Sequence, residues 1–194
     1  MSLKKPPFIP TPINVVRKAL EISRCGPGDV LYDLGAGDGR VVIEAARMGA
    51  HAIAVEIEHD LAMLIRYKAE ELGLRDRISV LEASFYDVYL GNATIVYQYL
   101  YPSINEALAP KLERELALGT RIITIDFPIK SWTPVLVKRI IDEAGIIRTI
   151  FLYIRGLSEP KASILSLKPI CPKIIARQMG VRLDRDHGEN TALG

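Results

Sequence analysis

Residues 30–40 read VLYDLGAGDGR, an apolar run that ends in an acid and is followed by glycines at alternate positions. The apolar run predicts a buried strand, the glycines predict a tight turn, and the apolar spacing from Val41 to Ala46 predicts a helix. Glycines in such a turn leave no side chain between the helix N-terminus and a bound ligand. This segment therefore predicts a nucleotide-like cofactor lying across a strand–turn–helix unit.

Strand and helix patterns alternate on both sides of this segment. Further strands are predicted at 51–57, 78–81, 93–100 and 120–127, and helices at 12–25, 40–49, 60–72, 102–108 and 110–118. Such alternation predicts βαβ units and a parallel sheet covered on both faces. The runs 135–141 and 147–154 are rich in β-branched residues and predict a closing antiparallel hairpin, although the first run also has helical periodicity.

The whole chain has the composition of one globular α/β domain. It holds 194 residues, of which 49% are hydrophobic and 25% charged, with a net charge of +2. This near-neutral balance disfavours nucleic acid as a partner. We expect one cofactor-binding domain at 1–156, with a proline-rich strap at its start, and an extension of unknown role at 157–194.

Targeting and metal signals are absent from the sequence. There is no apolar run near 18 residues, the N-terminus lacks the apolar core of a secretion signal, and Cys25 and Cys171 form no metal-spaced cluster. These observations predict a cytoplasmic protein without a membrane segment or a metal site. The strap ends at Thr11-Pro12, where Thr11 is predicted to cap the first helix and Pro12 to begin it. The strap is either a surface element or a lid over the cofactor.

The glycine turn carries an acid that narrows the choice of cofactor. Its spacing, Gly35-x-Gly37-x-Gly39, differs from the G-x-G-x-x-G of dinucleotide sites, and no phosphate-binding G-x-x-x-x-G-K-[ST] sequence occurs. Asp33 stands two residues before the first glycine, where a carboxylate would repel a pyrophosphate but can meet an ammonium group. The turn therefore favours a cofactor with an amino acid end.

Two later strand ends supply residues for the rest of the cofactor. Glu56 ends the second strand, 17 residues after Gly39, where a carboxylate can accept hydrogen bonds from both ribose hydroxyls; otherwise it is a solvated acid. Ser84 and Phe85 follow the third strand and are candidates for adenine contacts; otherwise they are a loop hydroxyl and a core aromatic. Together with Asp33, these positions predict S-adenosylmethionine as the cofactor.

The chain resembles class I, seven-stranded methyltransferases. More narrowly, it is similar to archaeal protein lysine methyltransferases and to mitochondrial enzymes that methylate lysines of the ATP-synthase c-subunit or the adenine nucleotide translocase. The resemblance covers roughly residues 8–156, and it is carried by PTP at 10–12, VLYDLGAGDGR at 30–40, VEI at 55–57, ATIV at 93–96, PKLEREL at 110–116 and GTRIITIDF at 119–127. The segment YQYLYP at 97–102 is more aromatic than the family's usual pattern.

This resemblance implies a single Rossmann-like methyltransferase domain whose mostly parallel seven-stranded sheet ends in an antiparallel hairpin. It also implies a site for S-adenosylmethionine formed by Thr11, Asp33, Gly35, Ala36, Gly37, Gly39, Glu56, Ile57, Ser84 and Phe85. Archaeal members commonly carry a cysteine at the position of Ala36. The implied partner is a protein that presents a lysine.

Methyl transfer from a sulfonium requires alignment and exclusion of water rather than a catalytic triad. A lysine acceptor must lose its proton, since free lysine has a pKa of about 10.4, and an apolar aromatic channel favours the neutral amine. Candidate channel residues are Tyr97, Tyr99, Tyr101, Phe127 and Trp132, all at or just beyond predicted strand ends. Asp126 and Tyr97 are the candidates for a catalytic group; otherwise these residues form core and surface. His51, His59 and His187 are expected to be structural or exposed.

Three other functions compete with lysine methylation. Base methylation is disfavoured because no N/D-P-P-Y/F motif follows the fourth strand, and because Cys171 is followed rather than preceded by proline. A small-molecule methyltransferase remains an alternative, since this fold serves many acceptors. A non-catalytic module that binds S-adenosylmethionine or its product is another. The acceptor, the number of methyl groups and the oligomeric state stay open.

Overall fold

A seven-stranded mixed sheet forms the centre of the part of the chain that the structure describes. The computed structural model describes residues 9–160, and predictions made for residues 1–8 and 161–194 lie outside this range. The strands are β1 Val30–Leu34, β2 His51–Glu56, β3 Ile78–Glu82, β4 Ile95–Gln98, β5 Arg121–Ile125, β6 Leu136–Ile141 and β7 Ile147–Ile154. Their order is β3-β2-β1-β4-β5-β7-β6. The first five are parallel, and β7 runs antiparallel between β5 and β6, which confirms the predicted fold.

Between residues 9 and 160, four helices cover the two faces of this sheet. They are α1 Ile13–Ile22, α2 Arg40–Arg47, α3 His59–Glu71 and α4 Pro102–Glu115. The first three contribute to one buried cluster with side chains such as Leu20, Val42 and Ile65. Helix α4 contributes Leu108 and Leu112 to a second cluster on the opposite face. Because successive strand residues point to opposite faces, each inner strand supplies both clusters.

Helix α4 differs from the prediction of two helices separated at Pro110. A single helix passes through this proline, which lies on the exposed side. Ala109 before the proline and Leu112 after it are both buried in the same cluster. Packing on one continuous face therefore offsets the hydrogen bond that the missing proline N–H would have made.

The ends of α1 also differ from the prediction. Pro12 occupies the capping position rather than the first turn, and no side chain caps the helix. Thr11 instead accepts a hydrogen bond from the Tyr97 hydroxyl, at 3.3 Å. The helix ends at Ile22 because Arg24 adopts a left-handed conformation with φ 53°, before the glycine that was expected to stop it.

The carboxyl ends of β1, β2, β4 and β5 meet at one edge of the sheet, where open α/β sheets bind ligands. The turn from β1 to α2 lies there, with Gly39 at φ 80°. A Cβ at Gly39 would come within 2.8 Å of Ile65 Cγ1. Glycine is therefore required for α3 to pack closely against the turn.

The described chain remains packed beyond β7. Ser158 and Glu159 are buried, and the Arg155 guanidinium forms an ion pair with the Glu159 carboxylate at 2.5 Å. Packing thus continues at least three residues past the boundary that the sequence predicts at 156. Within residues 9–160, no helix is long and apolar enough to cross a membrane.

Candidate active site

A cavity of about 430 Å³ opens at the carboxyl ends of β1, β2 and β4. This volume lies within the roughly 300–1,000 Å³ usual for small-molecule sites. Seven predicted cofactor residues line it: Thr11, Asp33, Gly35, Ala36, Glu56, Ile57 and Phe85. Three predicted channel residues do so as well: Tyr97, Tyr99 and Tyr101. The structure thus brings most of the predicted site together around one space.

Asp33 is a buried acid that faces this cavity without a counter-ion. Its side chain is 3% exposed, and within residues 9–160 its carboxylate has no hydrogen-bond partner. Burial, followed by the charges of Glu56 and Asp38, raises the pKa of Asp33 to about 8. A cationic ligand group would relieve both effects, because it supplies the missing opposite charge.

Glu56 is oriented by backbone groups on either side of it. Its Oε2 accepts a hydrogen bond from the Gly37 N–H at 2.7 Å, and its Oε1 accepts one from the Glu58 N–H at 3.0 Å. Each carboxylate oxygen can accept further hydrogen bonds. The carboxylate is thus fixed in place and still able to bind two adjacent hydroxyl groups. Gly37 acts here through its N–H, although it does not line the cavity.

The strap is attached to the glycine turn by Arg40, which the sequence did not single out. Arg40 pairs with Asp38 at 2.7 Å and donates from Nη1 to the Thr11 carbonyl at 2.8 Å. Ile9 and Pro10, just before Thr11, line the cavity. The end of the strap is therefore a wall of the site, held there by a residue of the turn.

A smaller cavity of about 110 Å³ shares Ile9, Tyr99, Leu100 and Tyr101 with the first and adds Phe127. The ring centroids of Tyr99 and Phe127 are 6.3 Å apart, as are those of Tyr101 and Phe127, and both pairs are nearly parallel. We call Tyr99, Tyr101 and Phe127 the aromatic wall. It provides a narrow apolar space beside the larger cavity.

Tyr97 lies deeper than the aromatic wall. It is 1% exposed, and burial raises the pKa of its phenol well above the usual value. The phenol therefore keeps its proton near neutral pH, so it can donate a hydrogen bond but cannot serve as a base.

Besides Gly37, four predicted residues line neither cavity. Ser84 accepts a hydrogen bond from the Tyr86 N–H within its own loop, at 3.3 Å. Trp132 is 4% exposed, and its indole N–H donates to Glu113 of α4 at 3.1 Å, so it belongs to the core and not to the channel. Gly39 serves helix packing, as described above.

Asp126 is the fourth, and it does not face the cavities either. It accepts hydrogen bonds from the Tyr99 hydroxyl at 2.9 Å and from Arg148 at 3.0 Å. Its carboxylate is therefore already paired with a guanidinium and is not directed at a substrate ammonium. His51 and His59 are exposed, as expected, and His187 lies outside the described residues.

Comparison with known proteins gives a consistent set of relatives. The family model of the ANTKMT methyltransferase domain matches residues 33–136. A protein-lysine N-methyltransferase from Saccharolobus islandicus is 38% identical over 152 residues, which are 77% of this chain and 94% of that protein. The human ATP synthase c-subunit lysine N-methyltransferase is 33% identical over 128 residues, 66% of this chain and 54% of that protein.

Solved structures give the same fold. An RNA methyltransferase from Salinibacter ruber, solved with S-adenosyl-L-homocysteine, is 37% identical with a TM-score of 0.70, covering 75% of this chain and 93% of that one. The C-terminal domain of a precorrin-6Y C5,15-methyltransferase from Rhodobacter capsulatus is 20% identical with a TM-score of 0.58. It covers 73% of this chain and 89% of that one.

Proposed function

This chain belongs to the ANTKMT methyltransferase family, and we propose that it transfers methyl groups from S-adenosylmethionine to lysine side chains of a protein. One observation carries this proposal. The unpartnered carboxyl group of Asp33 and the fixed carboxylate of Glu56 face one cavity, which adjoins the aromatic wall. That arrangement suits a cofactor with an ammonium group and a ribose, next to an acceptor whose slender side chain ends in an amine.

The residues of the larger cavity fit this cofactor. Asp33 would hold its ammonium group and Glu56 its ribose hydroxyls, while Ile57 and Phe85 provide apolar surface for a purine. Bound S-adenosylmethionine supplies a methyl group on a positively charged sulfur, and transfer forms a nitrogen–carbon bond while the carbon–sulfur electron pair stays on sulfur. The protein's part is to align the two groups and to exclude water.

The aromatic wall would prepare the acceptor. A lysine ammonium loses hydration when it enters this apolar space, which lowers its pKa and favours the neutral, nucleophilic amine. Aromatic faces also accommodate the methylated cation that leaves. The small volume beside the cofactor cavity, about 110 Å³, suits a single extended side chain better than a bulky metabolite.

The site of action that we infer is the cytoplasm. Cys25, the free cysteine within residues 9–160, is a buried thiol, and free thiols are usual in a reducing compartment.

A labelling experiment separates the possible acceptors. The full-length protein is incubated with methyl-labelled S-adenosylmethionine and a mixed cell lysate, after which protein, RNA and small metabolites are separated and counted. We expect label in protein, recovered as methyllysine after acid hydrolysis. Label confined to metabolites or to RNA would contradict the proposal, and so would cofactor binding without any transfer.

A further inference from the structure

Asp126 holds a strained turn directly after β5. Its φ is 59°, in the left-handed region that residues other than glycine seldom adopt. The Phe127 N–H donates to the Ile125 carbonyl across it at 2.6 Å, which closes a γ-turn, a rare and strained form when φ is positive. Strain of this kind persists where surrounding bonds fix it, and it concentrates at functional sites.

Four hydrogen bonds hold Asp126 in this turn. Its N–H donates to the Thr149 carbonyl at 2.7 Å, and its Oδ1 accepts from the Thr149 N–H at 2.9 Å. Its Oδ2 accepts from the Tyr99 hydroxyl and from Arg148 Nη1. Arg148 in turn donates from Nε to Asp142 at 2.8 Å. The turn is therefore tied to the β6–β7 hairpin through two carboxylates and one guanidinium.

This network fixes the direction in which the Tyr99 hydroxyl points. The phenol O–H donates a hydrogen bond to Asp126 Oδ2, and the phenol oxygen accepts a hydrogen bond from Arg148 Nη1 at 3.2 Å. A hydroxyl oxygen has two acceptor positions, so one remains. Burial and the bond to Asp126 raise the pKa of Tyr99 to about 12, and the phenol keeps its proton near neutral pH.

The three residues occupy different places relative to the cavities. Tyr99 lines both of them, whereas Asp126 and Arg148 line neither. Asp126 and Arg148 therefore contact the hydroxyl of a residue that lines both cavities without lining either cavity themselves.

We propose that Asp126 and Arg148 are positioning residues that lock Tyr99 with its phenol oxygen presented as an acceptor to the substrate amine. This inference rests on the proposed lysine methylation. A neutral amine that donates an N–H to the phenol oxygen keeps its lone pair free for the methyl group. A phenol turned the other way would donate its proton to that lone pair and block the attack. The polarity of one hydroxyl thereby orients the nucleophile.

A double-mutant cycle tests this inference. The full-length wild type, Tyr99→Phe, Asp126→Asn and the double variant are compared by the initial rate of labelled methyllysine formation in a mixed cell lysate. Affinity for S-adenosylhomocysteine and the thermal unfolding midpoint are measured alongside. We expect each single variant to react roughly tenfold or more slowly, a loss that corresponds to about one hydrogen bond. Its affinity for S-adenosylhomocysteine should stay within about twofold of the wild-type value. The double variant should be no slower than Tyr99→Phe alone.

Several outcomes would overturn the inference. If the double variant is slower by the product of the two single effects, Asp126 does not act through Tyr99. If the single variants react at the wild-type rate, neither residue takes part in the reaction. A parallel loss of S-adenosylhomocysteine affinity would indicate a structural role. If Asp126→Asn fails to fold, Arg148→Lys takes its place in the cycle under the same criteria.

A matched control comes from Tyr32, a buried tyrosine of β1 whose hydroxyl donates to Asn92 at 2.7 Å, outside both cavities. Tyr32→Phe should retain the wild-type rate. A wild-type protein that forms no methyllysine would contradict the proposed function itself, whereas an active wild type with an additive cycle contradicts only the role of Asp126.

Discussion

In the proposed site, the carboxyl group of Asp33 pairs with the cofactor's ammonium group only after it has lost its proton, so we expect cofactor binding to depend on pH. Its pKa in the free protein is about 8, so below that pH the carboxyl group must release a proton before it can pair with a cation. We expect affinity for S-adenosylhomocysteine to rise roughly tenfold per pH unit between about pH 6 and pH 7.5. Calorimetry in two buffers of different ionisation enthalpy should show one proton released. A pH-independent affinity would contradict this assignment.

The same residue makes the free protein less stable as the pH rises. Its pKa is raised by folding, so between about pH 4 and pH 8 the folded state binds more protons than the unfolded state, and the free energy of unfolding falls through this window. Asp33→Asn removes the charge. We expect its thermal midpoint, relative to wild type, to increase from pH 5 to pH 8, while its affinity for S-adenosylhomocysteine falls. If the thermal midpoint of Asp33→Asn differs from that of wild type by the same amount at pH 5 and pH 8, Asp33 does not change its protonation in the folded protein between these pH values.

Sequence reasoning brought Asp33 and Glu56 to one site, and both line one cavity, because the glycine turn and the end of β2 fix where their side chains point. It failed for Trp132 because the indole is held by Glu113, a residue of α4 that only the folded chain brings near. Asp126 is a similar case, since its partner Arg148 comes from the hairpin. Local patterns thus indicate strand ends, whereas pairing between distant side chains decides what each residue does there.

Hydrophobic patterning predicts the strands and the order in which strands and helices alternate along the chain. It does so because buried parallel strands and a β-branched hairpin differ in composition from amphipathic helices. The prediction of a helix boundary at Pro110 is wrong, because the local tendency of proline to end a helix competes with the burial of residues on both sides of it. Packing of these residues on one continuous face keeps α4 a single helix. The prediction failed because the strength of that packing depends on the sheet beneath α4.

Pro110→Ala tests this explanation of α4. Alanine restores an N–H that can bond to the carbonyl four residues earlier, and position 110 is exposed, so no packing is lost. We expect the free energy of unfolding to increase by about 1–3 kcal/mol, since proline costs up to about 3 kcal/mol in a helix interior and recovers part of that through the unfolded state. Denaturant unfolding measures it. A destabilised variant would indicate that α4 needs the proline for its shape.

A buried ion pair just after β7 holds the end of the described domain in place. Arg155 and Glu159 have side chains that are 5% and 0% exposed, and Glu159 also accepts from the Gly156 N–H at 2.8 Å. Glu159→Ala leaves a buried guanidinium without its partner. We expect a loss of about 3–5 kcal/mol in the free energy of unfolding.

A surface pair provides the control for that prediction. Arg75 and Glu70 are 77% and 64% exposed, so Glu70→Ala should cost less than about 1 kcal/mol. Equal effects of the two variants in denaturant unfolding would mean that residues beyond 156 add nothing to the domain.

The proposed function requires that Asp33 and Glu56 bind one adenosyl ligand together, and calorimetry with S-adenosylhomocysteine tests this directly. We expect a single site on the full-length protein. Glu56→Ala should weaken binding by about 1.5–3 kcal/mol, because charge-assisted hydrogen bonds to the ribose are lost, whereas Tyr32→Phe should bind as wild type does. No heat of binding at saturating ligand, or undiminished affinity in Glu56→Ala, would contradict this binding site.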